Sequence, residues 1–211
     1  MTAPSAPGAS PKGVSRQGAS PIRRAPRGLI ARMAETYRAG PRASAARELA
    51  SDAPESRILA YGVGACMVQG LVTAAGDPEK FRGEDAAGQV AGAIVASVFF
   101  APLFLYGVAA LLRIVLRVVG GTGGWKATRH VVFWASFAAT PVYLLAAVVE
   151  AWRGAAGLSA IPPGAASLAA GAVALWFWCG GLAEAHGFRR AWPGFALAVA
   201  VGALLSLGGA V

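Results

Sequence analysis

Hydrophobic and polar positions along the chain fall into three regimes. Residues 1–28 show no periodicity. Prolines at 4, 7, 11, 21 and 26 prevent any regular element of useful length, and this predicts a disordered tail. No apolar core follows its charges, so it is not read as a signal peptide. From residue 29 to 53 the apolar positions recur at helical spacing. Leu29, Ile30, Met33 and Tyr37 share one face, with Arg32 and Arg38 away from it, which predicts a short amphipathic helix. Gly40-Pro41 ends that helix, and Pro41 opens a second carrying Arg42, Arg47 and Glu48. A basic amphipathic helix placed before a first span can lie on the membrane surface, and a solvated lead-in helix is the alternative reading.

Beyond residue 57 the pattern becomes five long apolar tracts: 58–76, 86–112, 130–149, 164–183 and 191–211. Each reaches the roughly 20 residues needed to cross a bilayer at about 1.5 Å per residue. The predicted fold is therefore all-α, a polytopic bundle of five transmembrane helices. The pre-span helices (29–57) and the tail (1–28) precede this membrane domain of residues 58–211. Pro193 lies near the start of its tract and is harmless there. Pro102 and Pro141 lie mid-tract. They should kink their helices and free carbonyls that neighbouring groups must satisfy. Gly62, Gly64, Gly70, Gly171, Gly180 and Gly181, and a Gly88/Gly92 pair at small-xxx-small spacing, predict close helix contacts. Trp125, Phe133, Trp134, Trp152, Trp176, Trp178 and Trp192 are expected at the interfaces, as an aromatic belt.

Composition agrees: the 211 residues are 56% hydrophobic and 14% charged, well below the roughly 25% charge of soluble domains. The net charge of +9 matters through its location. Ten of the 19 basic residues precede residue 58, and the loop 113–129 holds Arg113, Arg117, Lys126 and Arg129 without an acid. Placing the N-terminus inside puts 16 basic residues on the cytoplasmic side and 3 opposite, which predicts N-in and C-out. The expected location is integral to a membrane. Arg32, Arg38, Arg42, Arg47, Arg113, Arg117, Lys126, Arg129, Arg189 and Arg190 then form a basic face for anionic headgroups or a protein partner. The protein could also meet a second copy of itself. No nucleic-acid motif accompanies the charge, so nucleic acid is not expected.

Chemistry-bearing motifs are few. Gly120-Gly121-Thr122-Gly123-Gly124-Trp125-Lys126 superficially resembles a phosphate loop, but Trp125 precedes Lys126 and Ala127 follows it, so it reads as a tight turn. Gly157-Leu158-Ser159-Ala160 has the Gly-x-Ser form of intramembrane serine proteases. Its only possible histidine bases, His130 and His186, are predicted at the opposite face. Cys66 and Cys179 lie in apolar tracts and read as small hydrophobes, with neither a disulfide nor a metal site. No charged residue lies mid-span, which argues against proton coupling. No catalytic residue, cofactor or metal is expected. Gln69, Ser97, Tyr106, Ser136, Thr140 and Tyr143 are the deepest polar groups. Of these, Gln69, Thr140 and Tyr143 are candidates to line a small cavity, the feature a permease subunit would need.

A basic helix end (Arg113, Arg117), the Gly-Gly-x-Gly-Gly-Trp loop and a span with central Pro141 follow one another over residues 113–149. Together with the segment Tyr37 to Arg47, this resembles bacterial members of the Yip family, the Ypt/Rab-interacting membrane proteins. The resemblance covers residues 36–211, mostly as architecture. It implies a five-span membrane adaptor without enzymatic activity, placed in a bacterial inner membrane. The eukaryotic members' Asp-Leu-x-Gly-Pro and Gly-Tyr signatures are absent, so their GTPase partners do not come with it.

Overall fold

A computed structural model describes residues 28–76, 85–155 and 162–190, and among these every regular element is helical. Two short helices come first, α1 (Leu29–Ala39) and α2 (Pro41–Ala50). Gly40 parts them with a φ of +85°, a conformation that a Cβ would strain. Then come α3 (Glu55–Gly76), α4 (Ala86–Val95), a π-helical turn (Ala96–Phe100), α5 (Ala101–Val118), α6 (Trp125–Ala138), α7 (Thr140–Ala155) and α8 (Ala165–His186). Four stretches are long and apolar enough to cross a membrane: Glu55–Ala74, Ala86–Val118, Trp125–Arg153 and Ala165–His186. The tail, the tract 191–211 predicted as a fifth span, and Ser159 lie outside the described residues.

Each mid-span proline leaves its mark. Pro102 cannot donate a hydrogen bond to the carbonyl four residues back, and the chain takes up a π turn immediately before it. Pro141 breaks the third span outright into α6 and α7. The span is also longer than the predicted 130–149, because Lys126 and Arg129 find acidic partners and extend the helix past the apolar tract.

The core is built around α6. Phe133 is fully enclosed, and Trp134 is 2% exposed. Both were expected in an interfacial belt, but glycines opposite them leave room for bulky rings in the packed interior. A Cβ on Gly62 would sit 2.6 Å from the Phe133 ring, and one on Gly64 would sit 2.9 Å from Phe137. Gly180 and Gly181 do the same for α2 and α6. Their added Cβ atoms would meet Pro41 at 2.6 Å and Val131 at 2.3 Å. The Gly88/Gly92 pair makes no helix contact: Gly92 faces open space and Gly88 faces only Asp85. Close approach needs a bulky surface opposite, and spacing alone does not supply one.

The pre-span helices differ most from expectation. They pack against the rest of the chain, α2 on α6 and α8, and α1 through Tyr37 on Ala138 and Phe177. The packed side of α1 includes Arg32 and buried Thr36, while Ile30 is 81% exposed. Arg32 turns inward because Glu48 of α2 offers it a buried counter-charge.

The Gly181 contact generates a test. Gly181→Val overpacks the α2–α8–α6 junction, at a cost of about 1–3 kcal/mol. Limited proteolysis should then cut the α1–α2 segment faster than in the wild type, with the remaining spans still protected.

Candidate functional site

The docking of α1–α2 begins at the Pro141 break. Val142 N–H turns to Ala139 O at 3.1 Å rather than continuing the α-helical ladder, which leaves the carbonyls of Phe137 and Ala138 without helical donors. The Thr140 hydroxyl donates to Phe137 O at 2.8 Å, and the Tyr37 hydroxyl donates to Ala138 O at 2.6 Å. So α1 is anchored by capping a carbonyl that the proline frees. Burial pushes the Tyr37 hydroxyl up to about 12, which keeps it a donor at any physiological pH. Nearby, Trp134 Nε1 donates to Ser44 Oγ at 2.9 Å. The Ser44 and Thr36 hydroxyls lie 2.7 Å apart, and Thr36 Oγ1 donates to Arg32 O at 3.0 Å. These bonds form a directional chain from α6 through α2 to α1.

A charged cluster sits beside it. Glu48 is 4% exposed and holds Arg32 through two contacts, at 2.9 and 3.2 Å. The Arg32 guanidinium lies over the Trp134 and Tyr61 rings, 5.5 and 5.8 Å from their centres. His130 Nε2 stands 3.6 Å from Glu48 Oε2 and has no hydrogen-bond partner among the described residues. Burial pushes the Glu48 carboxyl upward, but the His130 ring and the charges of Arg32 and Arg57 outweigh it and hold it below its usual value.

The glycine loop has its own reason. A Cβ on Gly121 or Gly123 would lie 2.6–2.8 Å from the His186 ring. Gly123 N–H donates to His186 Nδ1 at 3.3 Å, and Nε2 lies 3.0 Å from Thr128 Oγ1, which donates to Gly124 O. With Nδ1 accepting, Nε2 carries the proton and the ring is neutral. The loop is a cradle for His186. Lys126, at its end, pairs with Asp52 at 2.7 Å and holds that carboxyl below its usual value. α8 ends in a left-handed Gly187 cap, with Phe188 N–H donating to Ala183 O and Gly187 N–H to Glu184 O. Arg42 reaches across to Glu184 at 3.0 Å and donates to the carbonyls of Phe188 and Arg189.

These contacts gather the predicted basic residues at one end of the bundle. The α1–α2 pair, the start of α3, the end of α5, the start of α6 and the end of α8 all meet there. Half of the ten are internally paired. Arg32 binds Glu48, Arg42 binds Glu184, Arg47 binds Glu35, Lys126 binds Asp52 and Arg129 binds Glu55. Arg113 stacks on Trp125. Arg38, Arg117, Arg189 and Arg190 are exposed, with no acidic partner among the described residues. Charge counting missed the pairing because each partner acid lies 12 to 142 residues away in sequence.

The deep polar residues divide. Gln69 and Tyr143, with Ser97 and Ser136, line a cleft of about 720 Å³ between α3, α5, α7 and α8. Thr140 stands outside it, buried, with its hydroxyl committed to Phe137 O. Cys66 edges the cleft and Cys179 is buried, and both thiols are free. Among the described residues, no group of three His, Cys, Asp or Glu side chains is placed to hold a metal ion.

The family model of the Yip1 domain matches residues 47–211, from the middle of α2 onward. The chain belongs to the Yip1 domain family. No curated protein and no solved structure matches it. Within this Yip1 chain the matched region takes in Glu48, the His186 cradle and the whole cleft. It leaves out α1, which supplies Arg32 and Tyr37.

Two outcomes test this docking. Tyr37→Phe leaves Ala138 O unsatisfied, and should cost about 1–3 kcal/mol, read as a lower thermal unfolding midpoint. Glu48 has a depressed folded value, so its stabilisation is present above the ordinary Glu pKa of about 4.3 and is lost as pH falls from there through the folded value. Proteolysis of α1–α2 should therefore accelerate below about pH 4. The difference between wild type and Glu48→Gln isolates this carboxylate from other acid effects.

Proposed function

We propose that this Yip1 protein is a non-enzymatic integral membrane protein that recruits an anionic partner, headgroup or acidic protein segment, through its basic end. The observation that carries this reading is the exposed set Arg117, Arg189 and Arg190, where the loop after α5 meets the end of α8, together with exposed Arg38 on α1, none with an acidic partner among the described residues. Ion pairing offsets five of the other predicted cations, so this set carries the charge that no acid among the described residues offsets. Five spans, with the N-terminus and the basic end cytoplasmic, complete the proposal. The charge bias of the loops and the apolar tract 191–211 support it.

The cleft offers a second reading, as a permease subunit. Among the described residues its lining holds no Asp, Glu, Lys or Arg to serve as an ionic coupling site, and this favours the first reading.

The test uses the full chain in phosphatidylcholine nanodiscs and phosphatidylglycerol vesicles added in trans. Wild type should co-float with the vesicles at low salt and detach as screening increases. Replacing Arg38, Arg117, Arg189 and Arg190 with Gln should abolish most of this binding. Unchanged binding in the fourfold variant overturns the proposed face.

A further inference from the structure

The 720 Å³ cleft falls within the span of small-molecule sites, roughly 300–1,000 Å³. It lies wholly on membrane-crossing helices, so anything entering it must partition into the bilayer. Its mouth is rimmed by Phe100 and Phe104, which are 65% exposed and face outward. The π turn before Pro102 supplies Ala96, Ser97 and Phe100 to the wall, and π turns recur at functional sites. Gly171 leaves open space on the α8 side.

The wall carries a few polar side chains among apolar ones. Ser136 Oγ is satisfied, accepting from Trp178 Nε1 at 3.0 Å and donating to Val132 O at 2.9 Å. The Gln69 amide brings two donors and two acceptor lone pairs to the cleft wall, with the Tyr143 hydroxyl in the same lining. An amide facing hydrocarbon is costly unless it is hydrogen-bonded, so a polar group on a guest molecule is favoured beside it. The groups on offer are all uncharged.

We infer that the cleft binds a neutral membrane amphiphile, an acyl chain carrying an uncharged hydroxyl or ester head, of which a monoacylglycerol is the simplest form. The chain lies along Phe100, Phe104 and Leu175, and the head meets Gln69 and Tyr143. A charged head has no counter-charge in the lining. This inference rests on the cleft alone and does not depend on the basic end.

The probe is a diazirine-bearing monoacylglycerol, photolysed with the full chain in phosphatidylcholine nanodiscs and mapped by mass spectrometry. The expected result is saturable labelling of the cleft walls of α3, α5 and α8, competed by unlabelled monoacylglycerol. Gly171→Leu fills the cleft from a position with open space and should abolish the labelling. Gln69→Leu keeps the volume and should weaken competition about tenfold, the scale of one lost hydrogen bond. If Gly171→Leu fails to fold, Gln69→Leu still decides. Three results overturn the inference. One is non-saturable labelling spread over the outward faces of α5 and α7. Another is equal competition by anionic lysophosphatidylglycerol. The third is zero-length cross-linking of residues 191–211 to the cleft wall, which would make the chain's own segment the occupant.

Discussion

A proline in the middle of a membrane span frees backbone carbonyls where water is not available to hydrate them. Pro141 imposes that constraint here, and much of the architecture answers it. Thr140 takes the Phe137 carbonyl from within the span. Ala138 is answered from outside, by a tyrosine on a helix that precedes the membrane domain. The break therefore works as a socket, and α1 is seated in it by a hydrogen bond that hydrocarbon makes expensive to lose. Once α1 is seated, α2 must lie across α6 and α8; glycine at 180 lets Pro41 of α2 approach, and glycine at 181 lets Val131 of α6 approach.

The buried charges follow from that seating. Enclosing a carboxylate is unfavourable unless it is paired, and Glu48 is paired by Arg32 through both of its oxygens. Such a cluster contributes little net stability as a unit, yet losing one member leaves an isolated buried charge. It makes the docked position specific. The same logic explains the glycine loop. Its spacing suggests a phosphate cradle, whereas the structure shows a cradle for a neutral imidazole that ties the loop to the end of α8.

Two regions remain available for function once the internal partners are counted. The basic end keeps four exposed guanidinium groups after five of the predicted cations are neutralised. The cleft keeps uncharged polarity in a hydrocarbon setting. They differ in what they select: charge at one, and an apolar body with a neutral head at the other. The residues matched by the family cover the whole of the cleft and, of the four exposed arginines, Arg117, Arg189 and Arg190.

The helices were legible in the sequence, because an apolar run of about twenty residues has one favourable state in a bilayer and glycine and proline punctuate it plainly. The breaks at Gly40-Pro41 and Pro141 could be read for the same reason. So could the polar positions Gln69 and Tyr143, which stand out in an apolar tract. The tertiary structure decided which side of α1 is packed, which glycines matter and which cations are free. Those depend on partners far apart in the chain: Glu48 for Arg32, Glu184 for Arg42, Phe133 for Gly62. Periodicity reports a residue's local preference for an environment. It carries no information about the counter-charge, ring or carbonyl that another helix brings to meet it.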